Sequence, residues 1–246
     1  MKHPEKVIGI LGGMGPEATL ELFRRIMKKT PARCDQEHIR VIIDSNPKIP
    51  DRTEAMLNSG PDPLPLLQET ARNLERAGAD FIVMPCNTAH YYLSGIRAAV
   101  RIPVIDMIRE TAYRVREHKV GILATDGTLS TRLYHDACAE CGIEIIEPQE
   151  EDQQAIMQAI YNIKAGRSGA QLKARVLKAT EALEARGAQA IIVGCTEISL
   201  ILTQKEVHVP LYDAMESLAE TAVAMAKKFT EFTQRGSPGA LASPQP

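Results

Sequence analysis

Cys86 and Cys195 stand at matched positions in two similar stretches of chain, 109 residues apart. Leu74-Glu75-Arg76-Ala77-Gly78-Ala79-Asp80-Phe81-Ile82-Val83-Met84-Pro85-Cys86 aligns without a gap on Leu183-Glu184-Ala185-Arg186-Gly187-Ala188-Gln189-Ala190-Ile191-Ile192-Val193-Gly194-Cys195. Each thiol closes an apolar, strand-like run and precedes a polar, helix-starting segment: Asn87-Thr88-Ala89-His90 in one case, Thr196-Glu197-Ile198-Ser199 in the other. The carboxyl ends of strands are where open α/β sheets bind ligands. Asn87, Thr88 and Thr196 are residue types that favour helix N-caps, and the amides and dipole of a helix start can hold a carboxylate and ease the ionisation of a thiol. A lone cysteine at a strand end is ordinarily a small buried hydrophobe. Two at matched positions, delivered from opposite sides to one small ligand, suit another task. One thiolate removes a proton from a carbon, and the opposite thiol returns one to the other face. Inversion of a stereocentre requires that arrangement.

The elements that must bring the two thiols together follow from the patterning. Short apolar runs at 7–11, 39–43, 81–84, 104–105, 120–123, 143–146 and 190–193 alternate with segments of helical period at 16–29, 64–77, 131–141, 155–164, 172–186 and 214–232. This alternation predicts an α/β fold with parallel, buried sheets. The repeat also extends beyond the cysteines. Gly9-Ile10-Leu11-Gly12-Gly13-Met14-Gly15 matches Gly121-Ile122-Leu123-Ala124-Thr125-Asp126-Gly127, and Pro103-Val104-Ile105-Asp106 matches Pro210-Leu211-Tyr212-Asp213. Landmarks in the same order predict two pseudo-symmetric, Rossmann-like α/β halves with the site in the cleft between them. The expected boundaries are 1–113 for the half carrying Cys86, completed by a helix near 214–232, and 114–211 for the half carrying Cys195. Residues 233–246, rich in Gly, Ser and Pro, read as a disordered tail. Met14 and Thr125 open the first loop of each half, which places them at the cleft.

Composition narrows the function classes. Of 246 residues, 44% are apolar and 24% charged, the balance of an ordinary globular chain rather than a disordered or fibrous one. Lys and Arg total 29 against 31 for Asp and Glu, a net charge of −2, so no charge excess calls for nucleic acid or an anionic membrane. Aromatic residues are 4% with no Trp, which argues against stacking platforms for single strands. No apolar run approaches the roughly 18 residues of a membrane span. The start leads into a strand-like run rather than a signal-peptide core. Five cysteines, an odd number, read as free thiols of a reducing compartment, and a cytoplasmic protein is expected.

Met84-Pro85-Cys86-Asn87-Thr88-Ala89-His90, Gly194-Cys195-Thr196-Glu197 and the opening Gly12-Gly13-Met14-Gly15-Pro16-Glu17-Ala18-Thr19 resemble the pyridoxal-phosphate-independent aspartate/glutamate racemases. The resemblance covers about residues 6–232. It implies a racemase of aspartate or glutamate with Cys86 and Cys195 as the catalytic pair, no cofactor or metal, a small-molecule substrate as the partner and a homodimer. It further implies that Asn87, Thr88 and Thr196 hold the substrate's α-carboxylate and amine. The run Ser45-Asn46-Pro47-Lys48-Ile49-Pro50-Asp51-Arg52 resembles the segment whose Arg reads the distal carboxylate, and Ile163-Lys164-Ala165-Gly166 resembles the one that supplies a second cation. Arg52 and Lys164 also make physical sense, because a dicarboxylate needs cationic partners and Arg offers a bidentate fork. Cell-wall glutamate racemases resemble the chain at the cysteines but usually carry Asp-Ser in the first loop and His after the second Cys-Thr. Here Gly12-Gly13 and Glu197 stand there, which points to the aspartate-racemase branch. Glu197 either assists Cys195 or caps a helix.

Other readings remain open at this point. Gly13-x-Gly15-x-x-Ala18 fits the dinucleotide fingerprint and Asp44 ends the second strand, which would suit a nicotinamide-dependent dehydrogenase. Against it, Asp44 lies 29 residues after Gly15, longer than the usual interval of about 20. His135, Cys138 and Cys141 offer soft metal ligands along one helix, but no second pair completes a site. His90, four residues after Cys86, caps, packs or tunes that thiol or forms a nucleophile-base pair with it. A silent amino-acid-binding protein or a Cys86/Cys195 redox pair would use the same cleft.

Overall fold

Schellman turns of the same geometry feed the two cysteine-bearing strands. In the computed structural model, which describes residues 5–167 and 169–235, helices α3 (Leu64–Arg76) and α9 (Ala170–Ala185) are each closed by a glycine in the left-handed region, Gly78 at φ +95° and Gly187 at φ +91°. The next amide reaches back to the helix in both places, Ala79 N–H to the Leu74 carbonyl and Ala188 N–H to the Leu183 carbonyl, each at 3.1 Å. Only glycine takes that backbone conformation without steric cost. The chain then enters β3 (Phe81–Val83) or β6 (Ala190–Gly194).

The remaining strands are β1 (Ile8–Gly12), β2 (Val41–Ser45), β4 (Lys119–Ala124), β5 (Glu144–Ile146) and β7 (Leu211–Asp213). They form two parallel sheets with orders β2-β1-β3 and β5-β4-β6-β7. The α/β class with parallel sheets is therefore observed, and the repeat appears as the same strand order twice. Even the segment after β3 is reproduced. Ile82 N–H donates to the Pro103 carbonyl at 2.8 Å and Ile191 N–H to the Pro210 carbonyl at 2.9 Å. In the first sheet this contact stays an isolated bridge at Val104, whereas in the second it lengthens into β7.

The first sheet is covered on one face by α1 (Pro16–Lys29) and α10 (Ala214–Arg235), with Ile8, Ile10, Leu22, Ile26, Leu218 and Ala222 packed together. On its other face α3 and α4 (Leu93–Arg97) bury Leu11, Leu67, Leu74, Ile82 and Ile96. The second sheet lies between α8 (Glu150–Lys164) with α9 on one side and α5 (Met107–Ala112) with α7 (Leu133–Ala139) on the other. Two short helices remain, α2 (Arg52–Leu57) and α6 (Asp126–Ser130). They lie against each other, and a Cβ at Gly127 of α6 would come within 2.9 Å of Thr53 Oγ1 and 3.0 Å of Thr88 Cγ2.

Three sequence-based expectations need correction. The run at 39–43 pairs only from Val41, opposite Ile8, because Ile39 is spent packing into the core ahead of the edge strand. The tail expected from residue 233 is replaced at its start by α10, which continues to Arg235. Residues 236–246 lie outside the described residues. Asn87, Thr88 and Thr196 do not cap α-helices. The Cys86 loop runs into a 3-10 segment, Thr88–Tyr92, that continues directly into α4, and the Cys195 loop into a single 3-10 turn, Ile198–Leu200, neither with a side-chain cap. Among the described residues no helix is long and apolar enough to cross a membrane.

Candidate active site

Cys86 follows β3 after Met84 and Pro85, and Cys195 directly follows β6. Both are buried free thiols, and both line one cavity. All ten residues singled out in the sequence meet there: Met14, Arg52, Cys86, Asn87 and Thr88 before residue 114, and Thr125, Lys164, Cys195, Thr196 and Glu197 after it. Asp51 and Thr53 complete the wall, and sequence reasoning missed both. The free space between these side chains is only about 10 Å3, room for about one water molecule, so the cleft is closed down in this structure.

The two loops are held differently. Cys195 donates its S–H to Glu197 Oε2 at 3.1 Å, and the Thr196 hydroxyl bonds the Pro85 carbonyl at 3.3 Å, tying one cysteine loop to the other. Burial pushes the Cys195 thiol well up, and the neighbouring Glu197 charge pushes it further, against a smaller opposing pull from Lys164. The expected acidification by a helix start is therefore overturned for Cys195. A single 3-10 turn supplies little dipole, and a carboxylate lies beside the sulfur. Thr88 Oγ1 is 2.8 Å from Thr125 Oγ1 and 3.0 Å from Thr128 Oγ1, so three hydroxyls lock the halves at the cleft floor.

His90 is 4% exposed and holds Cys86 through the backbone. Its Nδ1–H donates to the Cys86 carbonyl at 2.8 Å, while Nε2 accepts the Met107 N–H at 3.1 Å. Burial lowers its pKa, so it sits neutral, a strut for the loop rather than a base at the sulfur.

The cations come from opposite sides. Arg52, 6% exposed at the start of α2, donates to the Pro50 carbonyl at 2.8 Å and to the Ile49 and Met14 carbonyls at 3.3 and 3.4 Å, leaving a buried Nε without a partner. Lys164, at the end of α8, reaches Asp51 Oδ2 at 3.5 Å. Burial lowers the Lys164 pKa, but the charges of Glu197 and Asp51 outweigh it and raise it net. Asn87 is a second buried donor in waiting. Its Oδ1 accepts from the Tyr134 hydroxyl at 2.7 Å and its Nδ2 has no partner. Buried polar groups are nearly always satisfied, so two orphaned donors in one cavity mark where a ligand's acceptors belong.

The glycine loop has a packing role that a dinucleotide reading does not need. Gly13 N–H already donates to Thr19 Oγ1 at 2.9 Å, and a Cβ at Gly13 (φ +94°) would lie 2.3 Å from the Asn46 carbonyl carbon. Asp44 accepts from Asn73 Nδ2 at 3.1 Å. Cys138 is a core thiol that burial pushes up to about 12, and His135 pairs with Glu147 at 2.9 Å. Among the described residues no group of three or more His, Cys, Asp or Glu side chains could hold a metal ion.

Matched strand ends that deliver two buried thiols to one narrow cleft, on a twice-repeated parallel α/β fold, place the chain in the class of amino-acid racemases. A model of the Asp/Glu/Hydantoin racemase family matches residues 11–222, and the chain belongs to that family. It is 28% identical over 224 residues to the broad specificity amino-acid racemase RacX of Bacillus subtilis, covering 89% of this chain and 97% of that one. The aspartate racemase of Picrophilus torridus superposes with a TM-score of 0.78 at 28% identity, over 91% of this chain and 97% of that one. Glutamate racemase of Francisella tularensis, solved in complex with D-glutamate, shares the fold at 20% identity and a TM-score of 0.67, over 92% and 84% of the two chains.

Proposed function

We propose that the protein interconverts the L and D forms of aspartate, glutamate or both without a cofactor, using Cys86 and Cys195 as a two-base pair. The observation that carries this reading is the placement of both thiols, from equivalent strand ends, in one cavity lined also by buried Arg52 and by Lys164, whose side chain stays partly exposed. A dicarboxylate matches those cations, with Arg52 and Lys164 on the distal carboxylate and Asn87, Thr88, Thr125 and Thr196 around the α-carboxylate and amine. Met14 closes the wall beside Arg52. The Picrophilus relative is named an aspartate racemase and the Bacillus relative a broad specificity racemase, which supports acidic substrates without restricting the enzyme to one.

In this reading one sulfur, as thiolate, takes the α-proton from its face and the opposite thiol gives its proton to the other face. Each turnover leaves the two sulfurs with exchanged protonation. Cys195 rests as a thiol, and its proton passes to Glu197 when it acts as the base, the 3.1 Å contact serving as the path. The halves 1–113 with α10 and 114–211 close on the substrate, which excludes water from the developing carbanion. A cytoplasmic homodimer completes the proposal.

The test uses purified, reduced, pyridoxal-free protein with L-aspartate and, separately, L-glutamate, followed by chiral chromatography. Formation of the D-enantiomer is expected, and Cys86→Ala or Cys195→Ala should lower the rate by about 10³-fold or more. D-product from neither amino acid would overturn the substrate assignment, and full activity in Cys195→Ala would overturn the two-base mechanism.

A further inference from the structure

We propose that Tyr134 is a positioning residue of the active site, whose hydroxyl fixes the side-chain amide of Asn87 so that Nδ2 is presented to the substrate carboxylate. The role rests on the racemase reading, because it assumes that a substrate acceptor fills the cleft. Tyr134 lies on α7 and is fully buried, the largest such side chain among the described residues. A phenol in that position needs a partner, and it finds Asn87 Oδ1 across the cleft at 2.7 Å. Burial raises its pKa, so it stays a donor throughout the physiological range. An amide offers an acceptor at one end and a donor at the other. A permanent donor at Oδ1 therefore selects one of the two flips and turns Nδ2, buried and without a partner, to the other side.

The ring is seated by the second cysteine loop. A Cβ at Gly194 would lie 3.0 Å from Tyr134 Cε2, so the glycine before Cys195 leaves the room that the ring occupies. Pro85 stands at the equivalent place before Cys86. The duplication has diverged at this pair, and Tyr134 links the residue after one cysteine to the residue before the other.

The experiment compares wild type, Tyr134→Phe, Asn87→Ala and the double variant for KM and kcat on L-aspartate and L-glutamate, together with thermal midpoint. Loss of one neutral hydrogen bond that orients the amide should raise KM about tenfold in Tyr134→Phe, with kcat changed less. The double variant should be no worse than Asn87→Ala, since no amide is left to misplace. Wild-type KM in Tyr134→Phe, or losses that multiply in the double variant, would overturn the proposal; a purely structural role would lower the midpoint and leave KM alone. Should Tyr134→Phe fail to fold, Asn87→Asp keeps the acceptor for Tyr134 and removes the donor, and an unchanged KM there overturns it. A wild type inactive on both amino acids overturns the racemase reading instead. The side-chain amide resonance of Asn87 then decides the positioning alone, and no shift between wild type and Tyr134→Phe overturns it.

Discussion

The sulfur of Cys195 lies 3.1 Å from Oε2 of Glu197 in a pocket where the two residues are only 3% and 5% exposed. A carboxylate beside a buried thiol opposes formation of the thiolate and at the same time offers a place for its proton. In the proposed two-base mechanism the thiolate of Cys195 is reached by passing a proton over this one contact.

Replacing Glu197 by Gln removes both effects. Without the negative charge the Cys195 thiol ionises at lower pH, so the rising limb of the kcat profile in the direction where Cys195 is the base should move to lower pH. Loss of the proton acceptor should lower kcat near neutral pH by about 10²-fold. A pH-rate profile in both directions reads this, and an unmoved limb would show that Glu197 does not govern the thiol.

Arg52→Lys keeps the charge at the start of α2 but loses the planar fork. The orphaned Nε and the guanidinium's three carbonyl anchors imply that geometry, beyond charge, sets the affinity. KM for aspartate and glutamate should rise by roughly 10- to 100-fold, the scale of a lost charge-assisted hydrogen bond. A steady-state KM within twofold of wild type would remove Arg52 from substrate recognition.

His90 makes stability depend on pH. Burial lowers its pKa in the folded state below the ordinary value near 6.5, so the unfolded chain binds its proton first. Its contribution is complete above about pH 6.5 and is lost as pH falls below that value toward the folded pKa. His90→Gln should flatten this acid slope in denaturant titrations between about pH 5 and 7. It should also cost roughly 1–3 kcal/mol at neutral pH, because the Cys86 carbonyl or the Met107 amide loses its partner. An unchanged slope would assign the acid sensitivity to other groups.

Much of the architecture is legible in the sequence because its signals are local. The glycines at 78 and 187 end helices by backbone necessity, and the apolar runs after them are buried on both faces. The duplication makes the two cysteines equivalent from the order of residues alone, and the ten residues that the two halves single out line one cavity. What escapes a reading of the sequence depends on side-chain direction. Asp51 reads as an ordinary N-cap, which it is, with Oδ1 on the Thr53 and Glu54 amides, while its other oxygen faces Lys164. Tyr134 looks like one more apolar position of a helix, and its reach to Asn87 spans 47 residues. The segment at 210–213 matches Pro103–Asp106 as a landmark, but the three residues Leu211–Asp213 are too short a run to announce the extra strand β7.

The two-base pairing of Cys86 with Cys195 is tested most directly by the isotope at the α-carbon during the first few per cent of turnover in D2O. Starting from L-aspartate or L-glutamate, the expected result is D-product carrying deuterium from the opposite thiol while recovered L-substrate keeps its protium. Deuterium entering the substrate as fast as the product would show a single exchanging base, and D-product free of solvent deuterium would rule out proton exchange at the two sulfurs.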